Sequence, residues 1–220
     1  MNKKLKTYLQ YVQSQPSGFA YKEKKANTKE LLEKLKKTCI KCTKCPLSKL
    51  GRTQVVFGKG NQNTKLMLIG EGPGKNEDLQ GEPFVGRSGQ LLTKILEAVK
   101  LKREDVYISN VVKCRPPENR TPSPEESKIC KNSFLFKEIE IISPQIICTL
   151  GACATQAILG KDTRISQARG NFHAFQQCLV MPTYHPAYLL RNPVEKRTVW
   201  EDMTKIIKKL KEIEKEIQEN

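Results

Sequence analysis

Residues 65–89 read KLMLIGEGPGKNEDLQGEPFVGRSG, and the fold is decided by how this stretch is read. An apolar run ends at Gly70, and a turn built from Gly72, Pro73 and Gly74 follows. A polar loop carrying Glu77, Asp78 and Phe84 then leads to Gly86, Arg87 and Ser88. Beyond it, Leu91, Leu92, Ile95, Leu96 and Val99 recur at helical spacing. Strand, glycine loop, helix is the order in which an α/β protein seats a ligand at the end of a strand.

Outward from this stretch, strands and helices alternate. Gln54–Gly58 reads as a short strand or extended piece, Val106–Val112 as a second clear strand after Leu66–Ile69, and Gln145–Leu150 as a third. Phe172–Met181 holds one or two more. Ser123-Pro124-Glu125-Glu126 is a helix start, with Ser at the N-cap, Pro at the first position and Glu three residues after the cap; the helix should reach about Ile142. Thr28–Lys37, GACATQAILG from Gly151, and residues 195–217 complete the helices, the last with Ile206, Ile207, Leu210 and Ile213 on one face. Such alternation predicts an α/β fold with a mainly parallel sheet covered on both sides. Gly70-Glu71-Gly72, Asn110, Gly151 and His185-Pro186 then all fall at or just past carboxyl ends of strands, where ligands bind in open α/β sheets.

The 220 residues suffice for one domain with a real core. Residues 1–30 are polar and Lys-rich, broken at Gln15-Pro16-Ser17-Gly18, and read as an N-terminal extension to a domain spanning 31–220. There is no apolar run long enough to span a membrane, and the first residues contain no apolar segment of the secretory type. A cytoplasmic, nucleoid-associated protein is therefore expected, and it is read as a monomer. Lys and Arg number 39 against 23 acids, a net charge of +16, which suggests a polyanionic partner such as nucleic acid. A lysine-rich proteome would give the same excess without any partner.

The eight cysteines do not read as a disulfide framework in a chain without a secretory segment. Cys42-x2-Cys45 lies in a polar loop, Cys114 closes a strand, and Cys130 follows across a loop rich in Pro and Arg. Four thiolates can hold zinc or an iron–sulfur cluster. The wide second pair favours a cubane cluster, while Cys39-x2-Cys42 is a competing metal spacing. Cys148, Cys153 and Cys178 read as buried small hydrophobes.

The blocks CTKCPL, GRTQVVFGKGN, GEGPGKNEDLQGEPFVGRSGQLL, YISNVVKCRPPENRTP and PTYHPAYLLRNP occur in order between Cys42 and Pro193. Together they resemble the iron–sulfur uracil-DNA glycosylases, family 4 of their superfamily. The resemblance implies a three-layer α/β/α sandwich on a four-stranded, mainly parallel sheet, with an iron–sulfur loop at one side. It implies a 4Fe–4S cluster on Cys42, Cys45, Cys114 and Cys130, leaving Cys39 extra. Its activity would be removal of uracil from single- and double-stranded DNA, leaving an abasic site. A non-catalytic iron–sulfur DNA-binding protein is the alternative on the same fold. Covalent trapping of the abasic sugar by His185 is disfavoured, because PTYHPAYLL lacks the basic insertion of the relative that does this.

Each candidate residue then has a chemical task. The base must leave the stack to be reached. Phe84 is the only aromatic in the glycine loop and supplies the platform for a flat ring; its other role would be a core plug. Asn110 offers an acceptor for uracil N3–H and a donor for O4, both reversed in cytosine; otherwise it would cap a turn. His185 is the donor for the oxygen of the leaving uracil anion. His173, the other histidine, is expected to be structural. Glu71 and Glu77 are the candidate carboxylates for the sugar and its attacking water, and Glu77 could also crowd the position of a thymine methyl. The water-activating Asp of family 1 enzymes would fall at Gly72, so that carboxylate is missing from its usual place. Gly70, Glu71, Gly72, Glu77, Phe84, Asn110 and His185 are thus expected around the base. Leu189 or Leu190 is expected to wedge into the duplex, with Arg191, Arg115 and Arg120 on phosphates.

Overall fold

The structure is a computed structural model that describes residues 27–219. The expected N-terminal extension therefore lies outside the described residues, apart from its last few, which open the first helix. In chain order the elements are α1 (Thr28–Ile40), β1 (Lys59–Gly60), β2 (Leu66–Gly70), α2 (Lys75–Gln80), α3 (Arg87–Ala98) and β3 (Tyr107–Asn110). They continue with α4 (Pro124–Cys130), α5 (Phe136–Ile142), β4 (Ile146–Leu150), α6 (Ala152–Leu159), α7 (Ile165–Ala168), β5 (His173–Phe175), β6 (Cys178–Thr183), α8 (Pro186–Arg191) and α9 (Lys196–Gln218). No helix among the described residues is long and apolar enough to cross a membrane.

The sheet has six strands among the described residues, in the order β1-β3-β2-β4-β6-β5. The contiguous strands β3, β2, β4 and β6 are parallel to one another, while β1 and β5 are antiparallel edges. The sheet as a whole is therefore mixed and wider than the four strands expected. Gln54–Gly58, expected as a short strand or extended piece, forms no strand, and β1 starts only at Lys59. The reason is local: the Thr53 N–H donates to the buried Asp78 carboxylate and the Val56 N–H to the Lys113 carbonyl at 2.8 Å. Those groups are taken up by loops and cannot form a ladder.

Alternation along the strands sorts the core into two layers. Met67, Ile69, Tyr107, Ile147 and Val180 pack with α1, α5 and α6 residues such as Leu32, Leu35, Ile139 and Ile158. Leu66, Leu68, Ile108, Cys148 and Met181 pack with α3, α8 and α9 residues such as Leu92, Leu96, Leu189, Met203 and Ile206. β6 runs two residues beyond Met181 and includes Pro182. Since β5 pairs only as far as Val180, the missing Pro182 N–H breaks no bond to that edge.

The Ser123 capping box is present, the Ser123 Oγ accepting from the Glu126 N–H at 3.1 Å and the Glu126 carboxylate accepting from the Ser123 N–H at 2.7 Å. The helix it opens reaches Ile142 as expected, but a π-helical turn, Lys131–Leu135, interrupts it directly after Cys130. Past β3, Val111 and Val112 donate to the Gly70 and Glu71 carbonyls at 2.9 and 3.1 Å. The chain therefore stays alongside the end of β2 before it turns away to Cys114.

Candidate active site

Parallel register places Gly70 opposite Asn110 at the carboxyl ends of β2 and β3. A methyl group at Gly70 would come within 2.5 Å of both Asn110 Oδ1 and Phe84 Cζ. The glycine is required because an amide and an aromatic ring close over it. Asn110 is buried, and among the described residues neither its Oδ1 nor its Nδ2 has a hydrogen-bond partner. A buried amide without partners costs about 1–3 kcal/mol for each group left unpaired. Gln145 is in the same state, but Asn110 alone of the two lies at the carboxyl sheet edge against Gly70.

Phe84 sits in the left-handed region, with φ of 56°. A non-glycine residue there is held by its surroundings. The Arg103 guanidinium donates to the Pro83 carbonyl at 2.9 Å and the Phe84 carbonyl at 3.0 Å. One Glu77 carboxylate oxygen accepts from the Val85 and Gly86 N–H groups at 2.9 and 2.8 Å. Any side chain at Gly89 would strike the Phe84 carbonyl. These clamps aim the ring at His185, with 5.6 Å between ring centroids and 33° between planes.

His185 lies just past β6, at the N-cap of α8. The Ala187 N–H donates to its Nδ1 at 3.1 Å. Burial first, and then the Arg191 charge, pull its pKa down to about 4. The imidazole is therefore neutral at physiological pH, with its hydrogen on Nε2. A methyl at Gly151 would come 2.9 Å from His185 Cβ, so this glycine too is a close approach.

Glu71 is half-buried, and burial raises its pKa against a hydrogen bond from Thr121. At Gly72 a methyl would meet Val112 Cγ2 at 2.7 Å, with Pro116 and Pro122 behind it. A side chain at Gly72, the position where the resemblance would set the family 1 Asp, would therefore strike Val112. His173 accords with its expected structural role, its Nε2 lying 2.9 Å from the Ala168 carbonyl.

The expected DNA-facing residues divide. Leu190 is 39% exposed and Arg191 is exposed. Leu189 is a correction: it is fully buried among Leu92, Leu96 and Met203, because successive residues of a helix are turned about 100° from each other, so Leu189 faces the core while Leu190 does not. It anchors α8 and is not available as a wedge. Arg120 spends its fork on Glu126, both bonds at 2.8 Å, and Arg115 donates to Asn119 Oδ1 at 2.8 Å.

Cys39, Cys42, Cys45, Cys114 and Cys130 line one cavity, together with Arg52, Lys113, Ile129 and Phe134. All are free thiols. Arg52 donates through Nη1 to Cys114 Sγ at 2.8 Å and through Nη2 to the Cys42 carbonyl at 2.9 Å. Burial raises the Cys114 thiol against this guanidinium, and pushes Cys130 up to about 12. Among the described residues, no three His, Cys, Asp or Glu side chains are grouped around a single ion-sized site. The sulfurs are spread around a cavity instead. Arg52 and Arg103 were not anticipated from sequence, since an isolated Arg carries no spacing signal. Cys148 and Cys178 are buried in the core as expected, whereas Cys153, expected to be buried with them, is only partly so.

A family model described as the uracil DNA glycosylase superfamily matches residues 57–208. A type-4 uracil-DNA glycosylase of Thermotoga maritima is 51% identical over 180 residues, 80% of this chain and 93% of its own. The chain belongs to the uracil DNA glycosylase superfamily, in its type-4 branch. Other type-4 relatives are those of Saccharolobus solfataricus, 45% identical over 76% of this chain and 80% of theirs, and Sulfurisphaera tokodaii, 43% over 80% and 83%. The matched span begins at Phe57, after Cys42 and Cys45 but before Phe84, Asn110 and His185, so these three residues all lie inside the superfamily region.

Proposed function

We propose that this type-4 glycosylase is a DNA-repair hydrolase that cleaves the N-glycosidic bond of deoxyuridine in single- and double-stranded DNA, releasing uracil. The observation that carries this reading is the buried, unpartnered amide of Asn110 beside the Phe84 ring and the His185 imidazole. Uracil presents N3–H and O4 to that amide and its face to Phe84. The His185 Nε2–H donates to O2, where charge collects as the base leaves. A neutral imidazole suffices for this, as its depressed pKa requires.

As the C1′–N1 bond breaks, its electron pair goes to the uracil ring and the sugar becomes oxocarbenium-like. A water oxygen then bonds to C1′. Of the two candidate carboxylates, Glu71 suits the role of water acceptor, since burial raises its basicity. Glu77 suits positioning, because one of its oxygens already holds the Phe84 loop. Leu190, an exposed apolar side chain of α8, would fill the space left by the base, with Arg191 meeting a phosphate. Arg115 and Arg120 lie on a second candidate DNA surface and would contact the backbone without leaving Asn119 or Glu126.

The cysteine cavity fits an iron–sulfur cluster: unpaired thiols of the required type surround it and an N–H donor points at a sulfur. Cys42, Cys45, Cys114 and Cys130 would hold a 4Fe–4S cluster. When bound it would cross-link three chain segments, and hydrolysis moves no electron through it. The protein is read as a monomer acting at the nucleoid in the cytoplasm.

The deciding experiment incubates anaerobically purified protein with an end-labelled oligonucleotide containing one deoxyuridine, with thymidine and cytidine controls. Alkali-labile breaks at uracil alone, lost in Asn110→Ala and His185→Ala, are expected. DNA binding without breaks would overturn the reading.

A further inference from the structure

Lys113 is a lysine buried to 1% side-chain exposure, one residue before Cys114 and on the wall of the cysteine cavity. Its ammonium donates to Ser109 Oγ at 2.5 Å, to the Asn110 backbone carbonyl at 3.0 Å and to Glu138 Oε2. An ammonium has three N–H groups, so all are committed and its orientation is set. Glu138 is fully buried and also accepts from Tyr107 Oη and Ser109 Oγ, each at 3.0 Å, and from the Gly58 N–H at 3.2 Å. The Phe57 ring lies 5.7 Å from the ammonium. This network therefore reaches from the β1 side of the sheet to the cysteine cavity and ends on the backbone of Asn110.

Stability does not require such a pair. Replacing a buried ion pair with apolar side chains is often neutral or stabilising, whereas removing one partner is costly. Position explains it better. Among the described residues the Asn110 side chain makes no hydrogen bond that could orient it, so its amide is aimed from its backbone and from packing. The Lys113 ammonium is the side-chain group that grips that backbone.

We propose that Lys113 is a positioning residue for uracil selection: with Glu138 it fixes the Asn110 backbone, and through its own place beside Cys114 it sets the base-reading amide and the cysteine cavity from one point. The inference rests on the glycosylase reading above.

The test uses iron-loaded protein carrying Lys113→Met with Glu138→Leu, which removes both charges together. Fluorescence anisotropy measures affinity for two oligonucleotides, one with the non-cleavable 2′-fluoro-2′-deoxyuridine and one with a tetrahydrofuran abasic analogue. The ratio of the two affinities isolates base reading from grip on DNA. We expect this ratio to fall about tenfold, as for loss of one well-placed buried hydrogen bond, with the abasic affinity unchanged. kcat on deoxyuridine should fall with it. Ser109→Ala removes one of the three acceptors and leaves the ion pair in place; it should lower the ratio about threefold. If the double variant does not fold, Ser109→Ala decides alone. A wild-type ratio in the folded variants overturns the proposal. Wild-type protein that fails to cleave deoxyuridine overturns the glycosylase reading instead.

Discussion

The Ala187 amide donates to Nδ1 of His185 at 3.1 Å, and this one bond decides which face of the imidazole is offered to a substrate. With burial and the Arg191 charge holding the pKa near 4, the ring is a neutral Nε2–H donor. The expected result is that His185 titrates near pH 4 in a proton NMR titration, against about 6.5 for a free histidine. His173→Gln removes the only other histidine signal. In stability terms the shift acts in one direction: an unfolded pKa near 6.5 and a folded one near 4 leave His185's contribution intact above about pH 6.5 and lost as pH falls through 4. Arg191→Ala should move the titration upward.

Gly70→Ala should close the base pocket. Its methyl would lie 2.5 Å from Asn110 Oδ1 and Phe84 Cζ, so at least one of them must move. Misplacement of that order costs about 100-fold in rate. Single-turnover uracil release measures it, and the circular dichroism spectrum should be unchanged.

Arg103→Met should loosen Phe84 without touching substrate. Two carbonyls lose their donor and the left-handed φ of Phe84 loses its clamp. The expected effect is a fall of about 10- to 100-fold in kcat/KM on single-stranded substrate, at constant iron content. Unchanged kinetics would show that Glu77 and Gly89 hold the loop alone.

Iron content should separate the five thiols of the cavity. Cys114→Ser and Cys130→Ser should lose iron and the visible absorbance, whereas Cys39→Ser should keep both. Arg52→Ala should lower iron retention under chelator challenge, since it removes the donor to Cys114 Sγ. Loss of iron in Cys39→Ser would reassign the ligand set.

The neighbours Leu189 and Leu190 should behave oppositely. Leu189→Ala opens a cavity in the α3–α9 core and should cost about 2–5 kcal/mol in denaturant unfolding. Leu190→Ala should leave stability within about 0.5 kcal/mol and reduce excision from duplex more than from single strands. Equal effects on both substrates would remove the wedge role.

Much of the fold was legible because its signals are local. The all-buried strands Leu66–Gly70 and Ile146–Leu150 appear as short apolar runs, and the Ser123 box names its own helix start. The β1 edge was not legible, although the β5 edge was: a two-residue strand such as Lys59–Gly60 has no period to detect, and the apolar Gln54–Gly58 beside it was the stronger pattern. The π-helical turn after Cys130 is equally silent in sequence, since helical periodicity passes through it with one residue's slip.

By itself, the sequence determined that this is an α/β protein with its polar, glycine-rich loops gathered at one sheet edge, and which residue types stand there. Composition, period and capping are properties of neighbours in the chain, so they survive without coordinates. Only the tertiary structure decided that Asn110 is buried without partners, that Leu189 faces the core while Leu190 faces out, and that Arg52, Arg103 and Lys113 hold the groups around the site. Those are relations between residues far apart in sequence. A hydrogen bond reaches about 3 Å in space, whatever the separation along the chain.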